Sequence, residues 1–147
     1  MIKEVEGDLF ECLNDTNIKS LGLCHCVSQD FAMGVGIAVE FKKRFGRVEE
    51  LVAQKPAIGS GAFIVHETPL FHIFYLVTKG RYYQKPTYQT LRSSVVWLKK
   101  EAEAKGVTLL CMPRIGCGLD LLEWDKVRAI LVEVFENSET NIRVYRK

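Results

Sequence analysis

Apolar residues along the chain fall into short runs separated by glycine, proline and polar punctuation, and the spacing inside each run predicts an element. Ile2 and Val5 mark a short strand that runs into Gly7-Asp8. Residues 21 to 27, Leu-Gly-Leu-Cys-His-Cys-Val, form a compact apolar block of the kind that makes a buried strand. Ile37, Phe41 and Phe45 recur every four residues, one face of a helix that Gly46 should close, and residues 48 to 52 add a short second helix. Residues 61–66 and 71–78 read as two strands with Pro69 in the turn between them, a hairpin. Pro86-Thr87 opens a helix whose apolar face is Leu91, Val95, Leu98 and Ala102, ended by Gly106. Residues 107–112 are apolar but for Thr108, the mark of a central strand covered on both faces. After a loop over residues 113–120, the stripe Val127, Ile130, Leu131, Val134 and Phe135 predicts a last helix, and residues 141–145 a last strand. Strands alternating with helices, plus one hairpin, imply an α/β protein: three layers, α/β/α, around a mixed, mostly parallel sheet of about six strands.

Composition narrows the class without changing that picture. The 147 residues are enough for one domain, 1–147, and 48% hydrophobic with 26% charged residues is ordinary for a globular chain. No apolar run reaches the roughly 18 residues of a membrane span, and the first residues carry no secretory pattern. Five cysteines, an odd number, fit a reducing intracellular compartment. The net charge of +2 is too small to argue for a bulk polyanion binder. It conceals a split, because residues 1–40 hold two Lys/Arg against seven Asp/Glu, and residues 41–147 hold eighteen against eleven. The basic group Lys42, Lys43, Arg44 and Arg47 could contact nucleic-acid phosphate, but its helical spacing fits a solvated face better.

The candidate chemistry sits in two Gly-x-Gly loops, Gly34-Val35-Gly36 and Gly116-Cys117-Gly118. Each follows a strand and precedes a helix. Glycine lets the backbone approach a ligand closely, and a helix N-terminus offers N–H groups and positive potential to an anion. One loop is explained equally well by a tight turn; two suggest jaws around a diphosphate at the carboxyl edge of the sheet. Neither loop continues as Gly-x-Gly-x-x-Gly or as a Walker motif, which disfavours a nicotinamide dehydrogenase or a P-loop nucleotidase. Cys24-His25-Cys26 lacks a second pair at zinc spacing, so these side chains are expected in the core and no metal or cofactor is implied. His66 and His72 read as structural or solvated. Asp8 either caps a turn or accepts from a purine amino group, and Asp120 has an ordinary alternative as N-cap of the last helix.

Beyond these readings, the chain resembles the macrodomain family, and within it the terminal ADP-ribose protein glycohydrolase subclass. The resemblance rests on residues 7–10, 25–28, 33–39 and 41–46, and most specifically on Lys85-Pro86-Thr87-Tyr88 and Pro113-Arg114-Ile115-Gly116-Cys117-Gly118-Leu119-Asp120. It implies an ADP-ribose pocket. Asp8 and Leu9 would hold the adenine end, with Lys147 close by. The loop carrying Gly34, Gly36, Ile37 and Ala38 would cover the diphosphate and distal ribose. Backbone N–H groups of Arg114, Ile115, Gly116, Cys117, Gly118 and Leu119 would cradle the phosphates. Ser28 stands where many macrodomains carry an asparagine that touches the distal ribose, a departure that fits a lysine-based reaction. The resemblance also implies Lys85 as nucleophile and Asp120 as its acid–base partner, releasing ADP-ribose from ester links to Glu or Asp through a lysyl-ADP-ribose intermediate. Other expectations by the same route are O-acyl-ADP-ribose, poly(ADP-ribose) and ADP-ribosylated nucleic-acid ends as further ligands, a role in the DNA damage response, a place in nucleus and cytoplasm, and a monomer. A non-catalytic ADP-ribose binding module is the alternative. Because a carboxylate partner favours the charged amine, the attack needs either desolvation of Lys85 on ligand closure or proton transfer to Asp120 during attack, and a Lys85–Asp120 ion pair that substrate breaks is expected in the empty site.

Overall fold

The computed structural model describes residues 1–14 and 20–147. Six strands form one sheet: β1 (Ile2–Glu6), β2 (Leu21–Ser28), β3 (Ser60–His66), β4 (Phe71–Lys79), β5 (Leu109–Pro113) and β6 (Asn141–Arg146). Four helices accompany them: α1 (Ile37–Phe45), α2 (Val48–Ala53), α3 (Tyr88–Ala104) and α4 (Trp124–Val134). The strand order is β1-β6-β5-β2-β4-β3. Every neighbouring pair is parallel except β3 with β4, the hairpin. The mostly parallel, mixed sheet is the one the sequence predicts.

The two-residue period of the strands sorts side chains into two cores. Leu23 and Val27 of β2, Ile73, Tyr75 and Val77 of β4, and Cys111 of β5 face one layer, where they meet Phe41 of α1, Leu51 of α2 and Phe10. Cys24 of β2, Phe74 and Leu76 of β4, and Leu110 and Met112 of β5 face the other, against Leu91, Val95, Leu98 and Ala102 of α3 and Val127 and Leu131 of α4. The helical stripes are thus the sheet's two coverings, giving three layers. Complete burial of a side chain such as Phe41 or Leu98 contributes about 1.5–3 kcal/mol. Gly46 ends α1 as expected, its N–H donating to Lys42 O at 2.9 Å.

Five parallel strands run in one direction, so their carboxyl ends collect on one edge. Glu6, Ser28, Lys79, Pro113 and Arg146 end those strands, and the segments that follow them build the site.

Candidate active site

Two adjoining cavities open along this edge. One, of about 570 Å³, is lined by Gly7, Asp8, Leu9, Phe10, Arg44 and Lys147 among others. The second, of about 390 Å³, is lined by both glycine loops and by Cys26, Ser28, Lys79, Lys85 and Asp120. Gly36, Ile37 and Pro113 line both, so the two are lobes of one cleft. Their volumes suit a small-molecule site.

The first lobe is built by the chain leaving β1. Asp8 Oδ1 accepts from Phe10 N at 2.9 Å, which starts a short 3-10 segment, Leu9–Asn14. Asp8 Oδ2 lies 3.5 Å from Lys147 Nζ. The backbone hydrogen bond from Phe10, with Lys147 nearby, holds the Asp8 carboxyl below its ordinary range. The capping role is therefore filled, and the same carboxylate still lines the lobe. Arg44 spans the wall, its guanidinium 4.1 Å over the Phe10 ring and 3.7 Å from Glu40. Arg47 donates to Val65 O at 2.8 Å.

Between the lobes lies the N-terminus of α1. Gly36 caps it with φ 65° and no side-chain hydrogen bond, and Gly36, Ile37 and Ala38 line the cleft there. Opposite, the loop after β5 is folded by its own backbone. Cys117 N donates to Arg114 O at 3.2 Å, Leu122 N to Gly116 O at 2.9 Å, and Leu121 N to Gly118 O at 3.0 Å. Gly116 and Gly118 both have φ 74°, a conformation that favours glycine. Ile115 is buried in the core beneath. The Arg114 side chain turns back to Glu4, 3.1 Å away, with its guanidinium 5.3 Å from the Trp124 ring. Asp120 closes a short 3-10 turn, Gly118–Asp120, while Glu123 holds the N-cap position of α4. Capping of the last helix is thus excluded as the role of Asp120.

The predicted Lys85–Asp120 ion pair is not what the structure shows. Asp120 Oδ1 pairs with Lys79 Nζ at 2.7 Å, and Lys85 Nζ donates to the main-chain carbonyl of Leu119 at 2.6 Å. The reason is positional. Lys79 is the last residue of β4 and is fixed beside β2, so it meets Asp120 first. Lys85 lies beyond the following turn and reaches the residue just before Asp120. Lys85 and Asp120 still line one lobe. Tyr88 explains the remainder of the Lys-Pro-Thr-Tyr motif, because its hydroxyl accepts from Glu123 N at 2.9 Å and ties the start of α3 to the glycine loop's exit. Thr87 caps α3 by accepting from Thr90 N at 3.1 Å.

Ser28 lines the lobe, but its hydroxyl donates to Asp30 Oδ1. Asp30 also accepts from Ala32 N at 3.1 Å and from Tyr82 N at 3.0 Å, so it binds the first glycine loop to the segment before Lys85. Burial pushes the Asp30 carboxyl up, and these three hydrogen bonds outweigh it and hold it below the ordinary range. Around the lobe, burial pushes the Cys26 thiol up to about 12 and raises Cys117 as well. Both are poor nucleophiles at neutral pH. Among the described residues no group of three or more His, Cys, Asp or Glu side chains could hold a metal.

Compared with solved structures, the fold matches the macrodomain of Mycobacterium tuberculosis DarG with a TM-score of 0.85 at 21% identity, covering 100% of this chain and 98% of that one. It matches Thermosipho africanus DarTG in complex with ADP-ribose with a TM-score of 0.80 at 19% identity, over 97% of this chain and 41% of that one. No family model matches the chain. Among curated proteins, the ADP-ribose glycohydrolase OARD1 of Bos taurus is 47% identical over 144 residues, 98% of this chain and 90% of the relative. The Homo sapiens protein of that name is 46% identical over 144 residues, with the same coverage. The chain is a macrodomain of this ADP-ribose glycohydrolase family.

Within the macrodomain, the residues named from sequence separate into two groups. Asp8, Leu9 and Lys147 line the first lobe. Ser28, Gly34, Ala38, Lys85, Arg114, Ile115, Gly116, Cys117, Leu119 and Asp120 line the second, while Gly36 and Ile37 serve both. Gly118 stands between Cys117 and Leu119 in the turn itself. Lys79 and Asp30 were not anticipated. Lys79 looks in sequence like the polar end of an apolar strand, and Asp30 like a loop residue; only the pairing of β2 with β4 gives either a role.

Proposed function

We propose that this macrodomain hydrolyses ADP-ribose esters of glutamate and aspartate side chains, with Lys85 as nucleophile and Asp120 as acid–base partner. One observation carries the reading. In a cleft walled by two glycine loops, the Lys85 amine donates to the carbonyl of Leu119, the residue before Asp120, and both Lys85 and Asp120 line the same lobe. The curated relatives are named ADP-ribose glycohydrolase, which supports the broader activity, and a structural neighbour was solved with ADP-ribose.

The chemistry runs in two steps. Lys85 enters as the free amine, having lost a proton to solvent as substrate fills the cleft. Its lone pair forms a bond to the anomeric carbon of the distal ribose. The bond from that carbon to the ester oxygen breaks, and its electron pair leaves with the glutamate carboxylate. Asp120 takes the proton from the alkylated nitrogen. In the second step Asp120 returns that proton to nitrogen, water adds to the anomeric carbon, and the carbon–nitrogen bond breaks. The proton lost by the water passes through Asp120 to solvent. Free ADP-ribose and the neutral amine remain, and the amine takes back from solvent the proton it lost at the start. Small acyl esters at the anomeric oxygen of ADP-ribose and ADP-ribosylated nucleic-acid ends present the same anomeric carbon and are further substrates of this proposal.

The test is Lys85→Ala. It should abolish release of ADP-ribose from a glutamate-modified protein while calorimetry finds ADP-ribose affinity within about threefold of wild type. Borohydride trapping with mass spectrometry should place an adduct on Lys85. Unchanged turnover in the variant rejects the nucleophile. A wild-type protein that binds ADP-ribose without releasing it from any ester is instead a binding module.

A further inference from the structure

We infer that Lys79 is a positioning residue for the hydrolytic reaction, supplying the cation that holds Asp120 so that Lys85 does not have to. The inference rests on the proposed reaction and adds a part to it.

Three observations support the assignment. The first is backbone placement. β2 and β4 are in regular parallel register up to Val27 with Val77, and then Ser28 pairs with Lys79, so β4 carries one extra residue, Thr78. Such bulges gather next to active sites and re-aim a side chain. Here the irregularity puts Lys79 where an unbroken ladder would put a threonine. Its carbonyl accepts from Gln29 N at 2.8 Å, which fixes the strand end. The second is burial. The Lys79 and Asp120 side chains are only 14% and 17% exposed, so their 2.7 Å contact is shielded from solvent, unlike the exposed pairs of this surface. An ion taken this far from water needs its partner, and removing one leaves the other uncompensated. The third is division of labour. A carboxylate partner favours the charged form of an amine. Lys79 occupies Oδ1 of Asp120, and among the described residues no group donates to Oδ2, which remains for proton exchange. Lys85 donates to Leu119 O instead and forms no ion pair with Asp120, so the two amines have separate partners.

The test is a mutant cycle with Lys79→Met, Lys79→Arg, Asp120→Ala and the Lys79→Met/Asp120→Ala double variant. Turnover is read on a protein carrying ADP-ribosyl glutamate, and affinity with free ADP-ribose. Lys79→Met should lower kcat about 10- to 100-fold, part of the roughly 10²–10⁴ contributed by a positioned acid–base group. ADP-ribose affinity should stay within about threefold. Lys79→Arg should recover most of the rate. In the Asp120→Ala background, loss of Lys79 should change kcat less than about threefold, because its action runs through Asp120. Losses that multiply in the double variant, or a Lys79→Met variant with wild-type kcat, would overturn the inference. So would a borohydride-trapped adduct on Lys79, which would make it the nucleophile. If Lys79→Met does not fold, Lys79→Gln takes its place in the cycle, with thermal unfolding to confirm an intact domain. Wild-type protein that neither turns over nor forms an adduct rejects the underlying reaction itself; an active wild type confines every other outcome to Lys79.

Discussion

The Arg114 guanidinium lies 3.1 Å from the Glu4 carboxylate, which joins the loop after β5 to β1. Glu4 also accepts from Trp124 Nε1 at 3.1 Å and lies 3.5 Å from Arg128. Burial pushes the Glu4 carboxyl up, but the hydrogen bonds from Arg114 and Trp124 and the charges of Arg114 and Arg128 outweigh it and hold it low. Arg114 thus fastens the end of β5 to β1, and on the proposed function the phosphates would be held by the backbone of the loop. Arg114→Ala should cost about 1 kcal/mol of stability, for a half-exposed ion pair and an Arg–Trp contact. It should change ADP-ribose affinity by less than about threefold in titration calorimetry. A tenfold loss of affinity at full folding would place the guanidinium on the diphosphate instead.

If backbone groups do the binding, the glycines of that loop matter more than its arginine. Gly116 and Gly118 share a φ of 74°, but their surroundings differ. A Cβ on Gly118 meets open space, so Gly118→Ala costs only the strained backbone, about 1 kcal/mol. A Cβ on Gly116 would come within 2.9 Å of Leu122 Cδ1 and must displace that side chain as well. Urea unfolding should rank Gly116→Ala as the more damaging, and both should bind ADP-ribose more weakly than Arg114→Ala does. Equal costs would show that Leu122 moves aside freely.

His25 gives the fold a pH dependence of definite sign. It is fully buried in β2, stacked on Phe41 with ring centroids 3.8 Å apart and edge-on to Tyr75 at 4.9 Å. Burial pushes the imidazole down to about 3. In the unfolded chain it takes a proton near its ordinary 6.5. Between those values the unfolded state binds more protons, so stability rises with pH and is lost as pH falls below about 6.5. The slope approaches about 1.4 kcal/mol per pH unit midway between those values. His25→Leu, close in volume, should flatten the dependence of unfolding free energy between pH 4 and 6. A slope unchanged in that variant would assign the effect to other groups.

The sequence makes the periodic parts of this protein legible. Phe41 and Phe45, Leu91 through Ala102, and Val127 through Phe135 repeat at helical spacing because each must meet one face of a sheet, and each does so. The glycine loops are legible for a similar reason, since Gly36, Gly116 and Gly118 take a positive φ that glycine adopts most readily. What does not repeat stays hidden. Lys79 and Asp120 are 41 residues apart, and their contact depends on a bulge that adds one residue to a strand ending without changing its composition. Asp30 is hidden likewise, because its partners Ser28, Ala32 and Tyr82 come from both sides of a strand pair. Asp8 was legible as a choice between cap and ligand contact, and the structure shows the cap made with the carboxylate still on the cleft wall.

Leu121, next to Asp120, combines two unfavourable features. It has φ 65°, a left-handed conformation that costs a branched side chain about 1–2 kcal/mol, and its side chain is 73% exposed, so little burial offsets that cost. Its backbone N–H closes the turn onto Gly118 O at 3.0 Å, and that turn carries Asp120. Leu121→Gly removes the strain but frees the unfolded chain. The two effects oppose, and the larger is relief of strain, so stability should rise by up to about 1 kcal/mol. If the leucine serves the reaction by stiffening the Asp120 turn, kcat should fall in the same variant while ADP-ribose affinity is kept, a trade of activity for stability. Thermal unfolding and steady-state kinetics on one preparation decide it. A variant that is less stable and equally active would mean that the leucine side chain packs in solution and contributes nothing to turnover.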